Sequence, residues 1–359
     1  MPGSATESAV RAAFTRQAEW AASLGSPFME RLCRLLGDRL DRETEAGRRV
    51  LDWPGADPFT DALPLRLTGG LHALVRRGAA RGLAACYPPN PLPDDETLWA
   101  ALGPVLAEPE LLPWLEGAPQ TNEVGRSAVL MSGLLVIADL FPHPVELLEL
   151  GASAGLNLVL DRYGYDLGGL RAGDRKSALQ LRPEWHGDPP PASSVRVAGR
   201  RGVDLHPLGV RSDGERLLAY VWPDQAGRLA QLETALAIAA DHPPEVERGD
   251  AAGWLEARLA EPARPGVVHV VLHSVAFQYF PEETKARIVA AMEEAGLAAT
   301  PSAPLAWLRY EFDDDDKAIT LRLRTWPGEE RLLAHCHPHG ARVEWLGPPE
   351  IDLQKHGNE

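Results

Sequence analysis

The fold class that this sequence predicts is α/β, a doubly wound sheet preceded by an all-helical region, and three observations carry the prediction. The apolar run Val145–Leu150 holds an acid near its end and passes through Gly151 and Gly155 into a segment with helical spacing. Beyond that turn, strand-like runs alternate with helix-like ones, the pattern of βα units around a parallel sheet. Before residue 141, helical periodicities are punctuated by turns and no convincing strand alternation occurs.

With 359 residues the chain can bury a large core, and two domains are expected: a helical one over 1–141 and a Rossmann-like one over 142–350, followed by a tail at 351–359. The net charge of −15 lacks the electrostatic footprint of a nucleic-acid binder and favours a small-molecule partner. Cys33, Cys86 and Cys336 are far apart and form no C-x-x-C, which suits a reducing compartment. Met1–Ser4 offers no basic start for a signal peptide, and the most apolar stretch, 127–141, is broken by Ser132, Gly133 and Asp139. A soluble, cytoplasmic protein without a membrane partner is the expectation.

In chain order, Ser26 is expected to cap a helix with Pro27 at its first position and Phe28, Leu32, Leu35, Leu36 and Leu40 along one face. Further helices are expected over Leu63–Val75, Asp94–Leu106 and Asn122–Leu140. Thr121 reads as the N-cap of the last, with Glu123 complementing its dipole, while Asn122, Glu123 and Arg126 are also candidates to close over a ligand. After the glycine turn comes a Gly- and Pro-rich stretch, and residues 165–194 read as an insertion: a substrate lid or mere decoration.

Strands are expected at Val195–Asp204, at Glu245–Glu247 and, most clearly, at Val267–Leu272. Helices are expected over Gln225–Ala240, Ala251–Leu259 and Pro281–Glu294. Antiparallel strands close the chain at Ala303–Phe312, Ala318–Thr325, Arg331–Cys336 and Arg342–Trp345, with Asp313–Lys317 a solvated hairpin turn. Asp204, at the end of the second strand, stands where α/β nucleotide folds hold ribose hydroxyls, though much farther from the glycine turn than the roughly 20 residues usual there. His273 follows the most buried strand and is the candidate general base, since its unperturbed pKa lies near working pH. Asp250 reads either as a helix cap or as an acid facing a ligand. His335, His337 and His339 have no partnering acid or Cys pair at a recognised spacing, so no metal is expected.

The pattern Glu149-x-Gly151-x-x-x-Gly155 resembles the first motif of class I S-adenosylmethionine-dependent methyltransferases, with Ser153 where a middle glycine is usual. The phrases Gln120–Arg126, Glu149–Leu158, Val221–Asp224, His273-Ser274 and Pro304–Leu308 are similar to a bacterial family catalogued as domain of unknown function 2332. These resemblances imply a methyltransferase-like fold and S-adenosylmethionine as cofactor. Glu149, Gly151, Ser153, Gly155, Asn157, Asp204 and Asp250 would hold the donor. His273 would take the acceptor's proton, and Tyr279, Asn122, Glu123 and Arg126 would shape the acceptor side. Two alternatives stay open. The same turn spells G-x-S-x-G, so Ser153 could be a hydrolase nucleophile with Asp250 and then His273 or His335 as partners. The chain could also bind the donor or a nucleotide without catalysis, as a sensor or interaction protein.

Overall fold

The computed structural model describes residues 5–347; the expected tail at 351–359 and the N-terminal residues Met1–Ser4 lie outside these. The chain divides into two compact units, Met1–Thr121 with Ser212–Glu233, and Asn122–Arg211 with Thr234–Glu359. The helix expected to end the helical region thus belongs to the second unit, and a segment beyond the glycine turn returns to the first.

The first unit opens with α1 (Glu7–Ser23), α2 (Pro27–Arg39), α3 (Glu45–Leu51), α4 (Leu63–Arg76), α5 (Arg81–Ala84), α6 (Asp95–Leu106) and α7 (Leu112–Glu116). Their apolar stripes meet in one core, to which Phe14, Leu32, Leu36, Leu67, Leu71 and Leu98 contribute. The face of α2 read from its spacing is the buried one. Its cap is different from the expectation: the Ser26 hydroxyl bonds to Asp224 Oδ1, and the Phe28 amide donates to Asp224 Oδ2 at 2.9 Å. A distant aspartate therefore takes the place of a local cap.

The second unit begins with α8 (Arg126–Leu140), apolar on nearly every side and buried over Ser127–Ile137. It packs against the sheet, where Leu308 lies so near Gly133 that a methyl group there would sit 2.5 Å from Leu308 Cδ1. This explains its place in the second unit. It also starts later than expected, at Arg126, so Thr121 is not its cap.

Next comes β1 (Val145–Leu150), followed by a 3-10 segment, Leu156–Arg162, that is non-helical at Val159. The expected α-helix after the glycine turn does not form. The expected insertion is folded: β2 (Gly164–Leu167), β3 (Leu170–Gly173) and β4 (Gln180–Leu181) form a small sheet, and β5 (Glu184–His186) joins the edge of the large one. The chain continues through β6 (Val197–Asp204), α9 (Gly214–Ala219), α10 (Ala226–Asp241), β7 (Val246–Arg248), α11 (Ala251–Leu259), β8 (Val268–Ser274) and α12 (Glu282–Ala298). It closes with β9 (Leu305–Asp313), β10 (Ala318–Trp326), β11 (Glu330–Cys336) and β12 (Arg342–Trp345).

The large sheet runs β5-β12-β11-β10-β9-β8-β1-β6-β7. Strands β7, β6, β1, β8 and β9 are mutually parallel, whereas β9 to β12 form antiparallel neighbours. This is a mixed α/β fold with a helical N-terminal region. The parallel order reverses between β1 and β8, and in such sheets a crevice opens outside the strand ends at the reversal. On one face Leu148, Leu150, Val271, Leu305 and Trp307 pack with Ile288 and Met292 of α12. By the two-residue period of strands, Leu147, Glu149, Leu272, Ser274 and Leu308 lie on the other face, toward α8.

Candidate functional site

The glycine turn stands at the carboxyl end of β1, beside the reversal point. Gly151 (φ 69°) and Gly155 (φ 73°) take left-handed conformations that favour glycine, and Ser153 takes one without being glycine (φ 53°). The turn is bonded within the protein: the Gly151 and Ala152 amides donate to Val203 O at 2.9 and 3.0 Å, and the Leu156 amide donates to Asn122 Oδ1 at 2.9 Å. The Ser153 amide donates to Asp204 Oδ2 at 2.8 Å, and Oδ1 of the same acid accepts from His206 N at 2.8 Å. The turn leads into a short 3-10 helix and not an α-helix, so the polar groups that distinguish it are its side chains.

Those side chains form a buried network on the α8 face. Asn157 Nδ2 donates to Glu149 Oε1 at 2.9 Å and reaches Ser274 Oγ at 3.4 Å, and its Oδ1 accepts from Ser127 Oγ at 2.8 Å. Arg126 fixes the rim by donating from Nη1 to Ser274 O and from Nε to Pro338 O, each at 2.9 Å. Glu149 is 1% exposed, and its Oε2 has no hydrogen-bond partner. Burial pushes its carboxyl up to about 8 and the neighbouring Asp204 charge adds to this, against the pull of Asn157 and Arg126. The buried Ser153 Oγ is likewise without a partner. Unpartnered buried polar atoms carry a desolvation cost that a ligand group could relieve.

The structure thus brings together Asn122, Arg126, Glu149, Gly151, Ser153, Gly155, Asn157 and Asp204, with Glu123 buried next to Asn122. The other three are not bonded into this network. His273 is fully buried, with Nδ1 bonded to Glu311 Oε1 at 2.7 Å and Nε2 accepting from Trp307 Nε1 at 3.0 Å. Both ring nitrogens are used, and strand alternation puts the ring on the face opposite Glu149. In this arrangement neither ring nitrogen of the expected general base faces the glycine turn. Tyr279 is 76% exposed on a 3-10 turn, Phe277–Tyr279. Asp250 is the N-cap of α11, its Oδ2 accepting from Gly253 N at 2.8 Å.

Ser127, Ser274 and Glu311 are the residues that sequence reasoning missed. The two serines carry no pattern of their own; Ser274 was visible only in the phrase His273-Ser274, just past the clearest strand. The nucleophile reading of Ser153 finds no support in contacts, since its Oγ meets no histidine. Among the described residues no cluster of His, Cys, Asp or Glu could hold a metal ion, and no helix is long and apolar enough to cross a membrane. A cavity of about 380 Å³ touches the turn at Ala154 and is lined further by Leu208, Arg211, Ala240, Pro244 and Val246.

No curated protein and no solved structure matches this chain. A family model described as an uncharacterized protein conserved in bacteria, domain of unknown function 2332, matches residues 11–345, and the chain belongs to that family.

Proposed function

We propose that this protein is an S-adenosylmethionine-dependent methyltransferase acting on a small molecule, with the donor bound at the reversal point between β1 and β8. The observation that carries the reading is the pair of acids at the ends of adjacent parallel strands, Glu149 on β1 with an unpartnered Oε2 and Asp204 on β6, flanking the glycine turn. Glu149 Oε2 and Ser153 Oγ would meet amino and carboxyl groups of the donor. A carboxylate has about four lone-pair sites, so Asp204 can take ribose hydroxyls while it keeps both backbone bonds. Asp250 would face the adenine amino group through the oxygen that does not cap α11.

S-adenosylmethionine supplies an electrophilic methyl when bound, so the chain's task is alignment. Asn157 fixes the Glu149 carboxyl, Asn122 fixes the end of the turn, and Arg126 holds the Ser274 backbone beside them. With His273 engaged on the opposite face, these groups position the donor and the acceptor and no histidine moves a proton there.

The test is calorimetric titration of the purified protein with S-adenosylmethionine and S-adenosylhomocysteine, alongside Asp204→Ala and Gly151→Val. Saturable binding by the wild type, lost in both variants, is expected. Absence of binding by well-folded wild type rejects the reading.

A further inference from the structure

We propose that Val275–Phe280 is a gate over the glycine turn and that Glu311 is the positioning residue that latches it shut. The inference rests on the donor site above for what passes the gate, but the latch itself can be read without any ligand.

Four observations converge on this loop. First, it occupies the space from which a ligand would approach Gly151: a methyl group built there would lie 2.8 Å from Ala276 Cβ and 3.6 Å from the Phe280 ring. A donor that approaches Gly151 from the side of its missing Cβ meets those two side chains. Second, one carboxylate oxygen gathers the amides at the start of the loop, beside the 2.7 Å bond from Val275 N to Tyr310 O and the packing of Phe277 and Phe280 on the core. Glu311 Oε1 on β9 accepts from His273 Nδ1 at 2.7 Å, Ala276 N at 2.9 Å and Phe277 N at 3.2 Å, while its buried Oε2 has no partner. Third, the loop leaves β8 through Val275 at φ 51°, a conformation that a β-branched residue resists. The closed loop therefore begins at a strained residue, held by its N–H on Tyr310 O at 2.7 Å. Fourth, its outer side, Gln278 and Tyr279, faces solvent and no neighbour among the described residues covers it.

His273 acquires a purpose in this arrangement. Trp307 fixes its Nε2 at 3.0 Å, and Phe277 stacks on its ring with centroids 4.9 Å apart. The histidine is a fixed post to which the Glu311 carboxylate and the loop are tied. When the Ala276 and Phe277 amides leave Oε1, the His273 bond is kept, and the contacts that opening breaks are those of the Phe277 ring with His273 and Trp307, while the β8–β9 strand pairing stays intact.

The test is hydrogen exchange of backbone amides in the full-length, ligand-free protein, combined with the association rate of S-adenosylmethionine. Glu311→Ala is expected to raise exchange at 276–280 about tenfold, with β8 and β9 still protected. Glu311→Gln, which keeps an acceptor oxygen, should stay closer to the wild type. The donor should associate faster with Glu311→Ala. Unchanged exchange at Ala276 and Phe277 in that variant overturns the latch, as does a loss of protection spread through β1 and β8. Should Glu311→Ala fail to fold, Gly151→Ala pushes on Ala276 from the other side with the latch intact; it should raise exchange in the same loop, and no change there overturns the contact. If the donor does not bind the wild type while loop exchange responds to Glu311→Ala, the donor reading falls and the latch stands. If the donor binds at the same rate with and without the latch, the gate falls and the donor site stands.

Discussion

Asp204 and Ser153 are joined by a hydrogen bond of 2.8 Å from the serine amide to Oδ2, so the acid that ends β6 fixes the turn that ends β1. The same carboxylate holds the His206 amide, and it thereby ties together the loops after two neighbouring parallel strands. Removing it in Asp204→Ala takes the acceptor from the part-buried Ser153 amide, leaves the exposed His206 amide to water and frees a serine held at positive φ. The expected loss is about 1–3 kcal/mol of stability, read from the denaturant midpoint. Asp204→Asn, with one acceptor oxygen left, should lose less. Equal stability of wild type and Asp204→Ala would show that the turn stands without the tie.

Glu149 gives the fold a pH dependence of definite sign. Its folded-state pKa is raised by burial to about 8, whereas the unfolded chain ionises it near the ordinary glutamate value of 4.5. Below the unfolded value both states hold the proton; as pH rises toward the folded value the unfolded chain has lost it and the folded chain has not. The contribution is therefore fully present in acid and is lost as pH climbs to about 8. At roughly 1.4 kcal/mol per unit the window amounts to a few kcal/mol. Glu149→Gln, neutral at all pH, should lack this slope. Melting temperatures of the two proteins at pH 5 and 8.5 check it: the difference should move in favour of the glutamine variant at the higher pH, and an equal difference at both would refute a protonated Glu149.

The strands were legible because burial and alternation are written locally. Val267–Leu272 announces a central strand by its apolar run, and β9 to β12 follow the expected boundaries within two residues. The pieces that escaped depend on partners far along the chain. Glu311 reads as a polar position near the end of a strand until the His273 ring, 38 residues away, is placed beside it. Helical spacing in Leu156–Leu160 suggested an α-helix, yet the segment turns as 3-10 with a break at Val159, because Leu156 is bonded to Asn122 and Tyr163 Oη returns to Leu156 O. The same nonlocality governs His273. Its position was read properly, but its face and its two partners are properties of the folded sheet.

Asp250 separates capping from ligand contact. Its Oδ2 accepts the Gly253 amide at 2.8 Å at the start of α11. Asp250→Ala should cost about 1 kcal/mol, and Asp250→Ser, which retains a cap acceptor, should restore most of it. Donor affinity gives the second reading: Asp250→Ser keeps the cap but removes the carboxylate, so weaker binding in this variant at unchanged stability assigns the acid to the adenine. Unchanged affinity in Asp250→Ser leaves Asp250 a cap alone.

Asp224 makes the strongest claim on the first unit. Its two oxygens take the Ser26 hydroxyl and the Phe28 amide across 198 and 196 residues of sequence, which joins the segment Ser212–Glu233 to the N-terminus of α2. The charge also sits at the positive end of that helix dipole, where an anion is favoured. Trp222, two residues earlier, is part of the same helical core, so the phrase Val221-Trp222-Pro223-Asp224 acts as a clasp with one apolar and one polar contact. Asp224→Ala removes the polar half and leaves Ser26, itself fully buried, without its acceptor. A loss of about 1–3 kcal/mol is expected, more than an exposed cap would give, because a buried hydroxyl is orphaned as well. The double variant Ser26→Ala with Asp224→Ala should recover part of that loss by removing the orphan. Thermal or denaturant unfolding of the three variants decides it, and strictly additive losses would show that the two side chains do not act as a pair.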